Sequence, residues 1–398
     1  MSVSYDGLPL PVSDVQMKKY RIFLLGLCAL AVMSCENLLL DANLPAVPPP
    51  TVHSSSLATV LDSLRFALDL PALAGAIITD KGIVDAQAVG CRRYGGHANV
   101  TNSDRFHLGS NTKAFTAVLL GTLVDEGRVN WDSTLPSFFP EYAGSMRPEY
   151  RDVTLRNLLS HSSGFMRDPS LTLLTATPRE QRAEVVAWAL TQPPATQRGS
   201  YLYSNLGIAI AGAIAEKVAN RPYEELLIER VLQPLGITTA GFGPMGTPGL
   251  EDQPLQHTSS HAPIEPTPDA DNPPLYSPSG RLHMSIVDWA KFIRWVILAE
   301  NGQQTLLRSE TAKTLTTAAT PMGGGWFYAF GWMTSDQAWA GGKYLEHSGS
   351  NTFNYSTACV APVQRWGVIV ATNQGPGVTV DPIEPAVGRL IDFRRSGR

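Results

Sequence analysis

Between Ser110 and Gly127 the chain carries Ala114, Phe115, Ala117, Val118, Leu119, Leu120, Leu123 and Val124. Wound at 3.6 residues per turn, these cover nearly every side of a helix. A helix with no polar face has no side to give to water, so it must run through the middle of the protein with other elements packed around it. Lys113, in its first turn, breaks the pattern. An ammonium buried without a partner costs several kcal/mol or changes its protonation. Ser110 stands three residues earlier, a spacing that puts hydroxyl and amine on one face within hydrogen-bond reach. The string Ser-x-x-Lys alone arises roughly once by chance in a chain of this length; its place in a buried helix is what gives it weight. A desolvated amine can take the proton of an otherwise weak serine nucleophile. The helix N-terminus adds free N–H groups and a positive dipole end beside it.

The rest of the chain predicts layers around that helix. Leu57, Val60, Leu61, Leu64 and Leu68 share a face over Ser56–Leu68, and Leu73–Thr79 and Ile83–Val89 flank the hairpin signal Asp80-Lys81-Gly82. From about Ser110 to Ala299 helical patterns dominate, broken by Pro- and Gly-rich loops. The longest loop, Gly241 to Pro278, is too polar and Pro-rich for a core. Ser285-Ile286-Val287-Asp288 resembles a capping box opening a helix through Trp289 and Trp295. Strand patterns return at Trp326–Thr334, Thr352–Val360 and Gly367–Thr372, and Ile383–Phe393 closes the chain as a helix. Strands at both ends with helices between predict an α/β fold: one α/β body, residues 57–109 and 283–398, interrupted by an all-helical region, 110–282.

The N-terminus reads as an address. Lys18, Lys19 and Arg21 precede an apolar run from Ile22 to Met33, then Ser34 and Cys35, the order of a secretory signal over residues 1–34. That run is too short to span a bilayer of about 30 Å. Val32-Met33-Ser34-Cys35 resembles a bacterial lipobox, which implies lipidation of Cys35, an exported protein and anchorage on the periplasmic side, at the outer membrane. Met17 reads as an alternative start. Residues 35–56 are polar and Pro-rich, a tether. Only Cys91 and Cys359 follow, too few for a disulfide framework, and their pairing stays open. The net charge is −4, with no block of five like charges, so no nucleic-acid partner is expected. His257 and His261 are four apart but not on a helix, His-Glu-x-x-His is absent, and no metal or other cofactor is called for. Gly-x-Ser-x-Gly is absent too, against an α/β-hydrolase elbow.

Two more motifs follow the first. Tyr203-Ser204-Asn205 offers a phenol able to relay a proton and an amide able to meet a substrate amide. His347-Ser348-Gly349, followed by Ser350, lies between strand patterns, its Gly permitting close backbone approach. In this order, with Leu158-Leu159-Ser160-His161-Ser162-Ser163-Gly164, Ser279-Gly280-Arg281-Leu282 and Phe330-Gly331-Trp332, the chain resembles the serine β-lactamase and penicillin-binding-protein superfamily. The likeness runs from about residue 57 to 375 and is nearest the β-lactamase-related branch of class C β-lactamases, family VIII-type esterases and D-stereospecific peptidases.

The resemblance implies a β-lactamase/DD-peptidase-like fold, a central antiparallel sheet flanked by helices, with the site in a cleft. It implies Ser110 as the acylated nucleophile, Lys113 and Tyr203 sharing acid and base duty, and Asn205 holding the acyl side chain. His347, Ser348 and Gly349 would line the strand along which a small-molecule or peptide-like substrate lies, and the N–H groups of Ser110 and Ser350 would form the oxyanion hole. His161 and its serines are structural on this reading. The branch's antibiotic-hydrolysing members carry Lys where this chain has His347, a residue only about a quarter charged at pH 7 if unperturbed. Ester or amide substrates without an obligatory carboxylate are therefore expected ahead of β-lactams and D-Ala-D-Ala peptides. A penicillin-binding DD-peptidase, a weak β-lactamase and a non-catalytic binder of cell-wall fragments are the alternatives. Oligomeric state is not legible.

Overall fold

The computed structural model describes residues 56–169, 177–304, 306–377 and 381–396. The signal, Cys35 and all of the tether but Ser56 lie outside them. Among the described residues no helix is long and apolar enough to cross a membrane.

Helix α1, Leu57–Ala67, starts where expected because the Ser56 side chain accepts from the Thr59 N–H and caps it. Strands β1, Ala72–Thr79, and β2, Gly82–Gly90, form the anticipated hairpin. Then come the short β3, Arg105–His107, and the central helix α2, Thr112–Asp125. Helices α3, Pro178–Ala189, and α4, Asn205–Ala219, lie in the middle of the chain. Strands β4 (Gly241–Phe242), β5 (Gln256–His257), β6 (Pro263–Ile264) and β7 (Leu282–Ser285) precede α5, Ile286–Glu300, and α6, Ser309–Thr316. The chain ends with β8 (Thr320–Gly323), β9 (Trp326–Tyr328), β10 (Met333–Gln337), β11 (Gly342–Ser350), β12 (Tyr355–Ala361), β13 (Trp366–Thr372) and α7, Glu384–Arg395.

Eight strands make one antiparallel sheet in the order β2-β1-β13-β12-β11-β10-β9-β8. Side chains alternate across it. Leu73 and Ile77 of β1 and Val368 and Val370 of β13 face a core shared with Leu57 and Leu61 of α1 and Leu390 of α7. Ala74, Ala76, Ile369 and Ala371 face the larger core, with Phe115 of α2 and Phe292 of α5 stacked at 3.6 Å between centroids. Both faces are covered, which is why these strands read as unbroken apolar runs. Helix α2 is buried from Thr112 to Gly121, as its missing polar face requires.

Three expectations need correction. The region 110–282 is not all-helical: it holds β4, β5 and β6, and β4 joins β7 and β3 in a second, three-stranded sheet. Two-residue strands are too short to show an alternation. The Gly241–Pro278 loop is not all surface, since Leu255, Gln256, His257 and Leu275 are buried and the Asp271 side chain has no exposed surface; the buried polar side chains pair with one another and with backbone carbonyls. Trp326–Thr334 is a hairpin, not one strand, because the chain turns at Gly331 with φ +83. Cys91 and Cys359 are free thiols. His257 and His261 bond to separate carbonyls, those of Asn373 and Asp69.

Candidate active site

The nucleophile turn is a 3₁₀ turn, Gly109–Asn111, leading into α2. Lys113, with no exposed surface, donates from Nζ to Ser110 Oγ at 2.9 Å and to the Ser279 carbonyl at 2.7 Å. The short segment 279–282, named only for its likeness above, thus anchors the amine from the opposite side. The Tyr203 ring lies over the same ammonium, 4.7 Å to its centroid. Ser110, Lys113 and Tyr203 are therefore in one place although 93 positions of sequence separate the first from the last.

Strand β11 reaches the same turn by close backbone contact. Gly109 has φ +50, and a Cβ there would meet Ser350 N at 2.3 Å. A Cβ on Gly349 would meet the Leu108 carbonyl at 2.1 Å and Ser110 N at 2.6 Å. Gly331 presses on α2 in the same way, 2.4 Å from Ala114 N to its would-be Cβ. Glycine is required at these contacts because the neighbours are backbone and cannot rotate away.

The pleat divides the residues expected along β11. His347 lies on the face shared with Leu345 and the larger core, whereas Ser348 shares the other face with Tyr344 and bonds Thr357 Oγ1 at 3.0 Å. The Ser348 hydroxyl is thus engaged on the face away from His347. The Ser350 hydroxyl is used within its own turn, donating to the Asn354 carbonyl at 2.8 Å. Asn205 opens α4, and its amide nitrogen donates to Asp168 Oδ1 at 2.8 Å.

His347 carries no charge here. It is buried, its Nδ1–H donates to the Ser348 carbonyl at 2.7 Å, and Nε2 accepts from the Tyr328 hydroxyl at 2.9 Å. Burial first, and the charge of Lys113 second, push its pKa down to about 3. The sequence expectation of a quarter charge is thereby revised to none. Tyr328 was not singled out from the sequence; only the nearby Phe330-Gly331-Trp332 string marks its neighbourhood. His161, read as structural, is buried against the rings of Tyr203 and Tyr328 at 4.3 and 4.4 Å, with Nδ1 accepting from Ser204 N. Burial, with Lys113 adding, also holds its pKa well below the ordinary value.

Acid should therefore weaken the fold through these histidines. The unfolded chain binds a proton on each near pH 6.5 and the native chain does not, so stability falls as pH drops below 6.5, by up to about 1.4 kcal/mol per unit and per histidine. For His347 the window extends down to about 3. Asp381, which burial pushes up to about 6, acts in the opposite sense between its ordinary 3.8 and 6, so a variant is needed to isolate one group. Urea midpoints between pH 7 and 5 should fall less steeply for His347→Gln than for the wild type. Equal slopes would mean that native His347 titrates as it does in the unfolded chain.

A serine bonded to a buried lysine at the head of a central helix, against a large antiparallel sheet, is the plan of the serine hydrolases of the β-lactamase and penicillin-binding-protein class. Residues 57–392 match the profile of the Beta-lactamase family, and the chain belongs to it. It is similar to penicillin-binding protein 4 of Amycolatopsis lactamdurans, with 29% identity over 354 residues, 84% of this chain and 89% of that one. Protein Flp of Staphylococcus aureus is 21% identical over 294 residues; the match takes in 73% of this chain and only 57% of Flp. Among solved structures, the octameric penicillin-binding protein homologue from Pyrococcus abyssi superposes with a TM-score of 0.69 at 24% identity, covering 84% of this chain and 76% of that one. That likeness concerns the fold.

Proposed function

We propose that the protein hydrolyses esters or amides through an acyl-enzyme on Ser110, with D-amino-acid and peptide-like acyl donors that need no carboxylate as its substrates. The observation that carries this reading is the Lys113 Nζ–Ser110 Oγ bond of 2.9 Å in a fully buried amine. In the acylation step the Lys113–Tyr203 pair starts one proton short, as neutral amine beside phenol or ammonium beside phenolate; the Ser110 oxygen attacks the carbonyl carbon while its proton fills that vacancy, and the pair then passes a proton to the leaving alcohol or amine. Water then repeats the sequence on the acyl-enzyme. The N–H groups of Ser110 and Ser350 are the candidate oxyanion donors, supported by the backbone contact of Gly109 and Gly349.

The neutral, buried His347 is the reason for setting a carboxylate requirement aside. On this reading the enzyme works on the periplasmic side of the envelope, tethered through Cys35. Intact mass after a fluorophosphonate probe should show one adduct in the wild type and none in Ser110→Ala. Benzylpenicillin should be turned over poorly. A stable penicilloyl adduct would favour a penicillin-binding DD-peptidase, and no adduct with either reagent would favour a non-catalytic binder.

A further inference from the structure

The Gly241–Pro278 loop sends one carboxylate into the protein beneath the nucleophile turn. Asp271 and His107 have side chains with no exposed surface, and Asp271 Oδ2 lies 3.0 Å from His107 Nε2. On the other side of the ring, His107 Nδ1 accepts from the Gly109 N–H at 3.1 Å. A nitrogen that accepts cannot carry the proton, so His107 is the Nε2–H tautomer and donates to the carboxylate. Burial alone would raise the Asp271 carboxyl; His107, the Arg281 guanidinium at 3.5 Å and the Asn272 N–H outweigh it and hold the group ionised.

The other oxygen of the same carboxylate faces β11. Asp271 Oδ1 accepts from Asn351 Nδ2 at 3.1 Å, and Asn351 follows Ser350 directly. Asn351 is fixed further by Gln256 Oε1 at 2.6 Å, which also accepts from Asn354. One buried carboxylate thus ties the residue before Ser110 to the residue after Ser350. A carboxylate is a costly way to fill a core, since apolar residues of the same volume serve stability as well or better. Its value here lies in direction.

We propose that His107 and Asp271 form a positioning unit for acylation, orienting the Gly109 amide, and through it the Ser110 hydroxyl and N–H, against the end of β11. The unit rests on the reading of Ser110 as the acylated residue. It touches no substrate and acts only through the turn. Misplacement of a catalytic group by about 1 Å costs on the order of 10²-fold in rate.

Two substitutions separate its halves. The amide of His107→Gln can still donate to Asp271 but no longer reaches the Gly109 N–H; the amide oxygen of His107→Asn sits where Nδ1 sat and keeps the bond to Gly109. Single-turnover acylation by p-nitrophenyl acetate should fall about 100-fold in His107→Gln, with KM changed less than threefold, and His107→Asn should recover at least tenfold of that loss. Unchanged acylation in His107→Gln, or equal losses in both variants that track their unfolding midpoints, would overturn the proposal. A second readout needs no variant to fold. Long-range ¹H–¹⁵N spectra of the wild type should show His107 protonated at Nε2 only; a proton at Nδ1 would overturn the arrangement. A wild type that fails to acylate while showing the Nε2–H tautomer would remove the role of Ser110, and the unit's purpose with it, but not its geometry.

Discussion

Lys113→Met is expected to lower acylation at least 10³-fold while leaving the urea midpoint unchanged or higher. The two halves of that outcome come from one fact, the complete burial of an ammonium that donates to Ser110 Oγ at 2.9 Å and to the Ser279 carbonyl at 2.7 Å. Lys113 serves acylation either as the neutral amine that takes the Ser110 proton or as the cation that holds Tyr203 ionised to take it; Met can do neither, and removal of the activating base from a serine nucleophile costs several powers of ten. The stability term has the opposite sign. Desolvating an ammonium costs several kcal/mol, and apolar replacements of buried charges are often neutral or stabilising by about 1–4 kcal/mol. Methionine is close to lysine in length, and the lost hydrogen bonds, those to the Ser110 hydroxyl and the Ser279 carbonyl among them, offset part of the gain. A secondary effect follows from charge alone: Lys113 helps hold His347 and His161 unprotonated, so both should bind protons more readily in the variant. Stopped-flow acylation with an aryl ester, beside urea unfolding at pH 7, reads both halves. A variant keeping a tenth of the wild-type rate would remove Lys113 from the base role and leave it to Tyr203.

The features that local chemistry decides were legible in the sequence. The burial of α2 followed from its missing polar face, α1 from the shared apolar face of Leu57, Val60, Leu61, Leu64 and Leu68, and the start of α5 from the cap at Ser285. The β1–β2 hairpin followed from two apolar runs around Asp80-Lys81-Gly82. Features set by distant partners were not. His347 looks like an ordinary imidazole until Tyr328, 19 residues away, is found bonded to Nε2 at 2.9 Å. Asp271 sits in a Pro-rich loop, and its partner His107 is 164 positions earlier. No local pattern announces a carboxylate that enters a core alone. The division of β11 was open to inference in principle, since period two puts His347 and Ser348 on opposite faces of any strand. What the sequence lacked was the face that meets α2.

A single methyl group on Gly349 should do almost as much damage to catalysis as the loss of a polar group. An alanine Cβ there would lie 2.1 Å from the Leu108 carbonyl, 2.6 Å from Ser110 N and 3.0 Å from Asn111 N. These are backbone atoms of the nucleophile turn, so no side chain can swing aside; β11 must move off the turn by about 1 Å to restore ordinary contact. That displacement separates Ser350 N–H from Ser110, and a shift of this size is worth about 10²-fold in rate. Crowding of this kind costs about 1–3 kcal/mol or more in stability. Gly109→Ala should be similar, with Cβ 2.3 Å from Ser350 N and the added strain of φ +50. Gly127 supplies the control: its φ is +70 but nothing lies within 4 Å of the added carbon. Gly127→Ala should therefore lose only about 1 kcal/mol for the left-handed backbone and acylate at the wild-type rate. Acylation that survives intact in Gly349→Ala would mean that the contact between β11 and the turn serves packing alone, and the oxyanion would have to be held by donors other than the Ser110 and Ser350 amides.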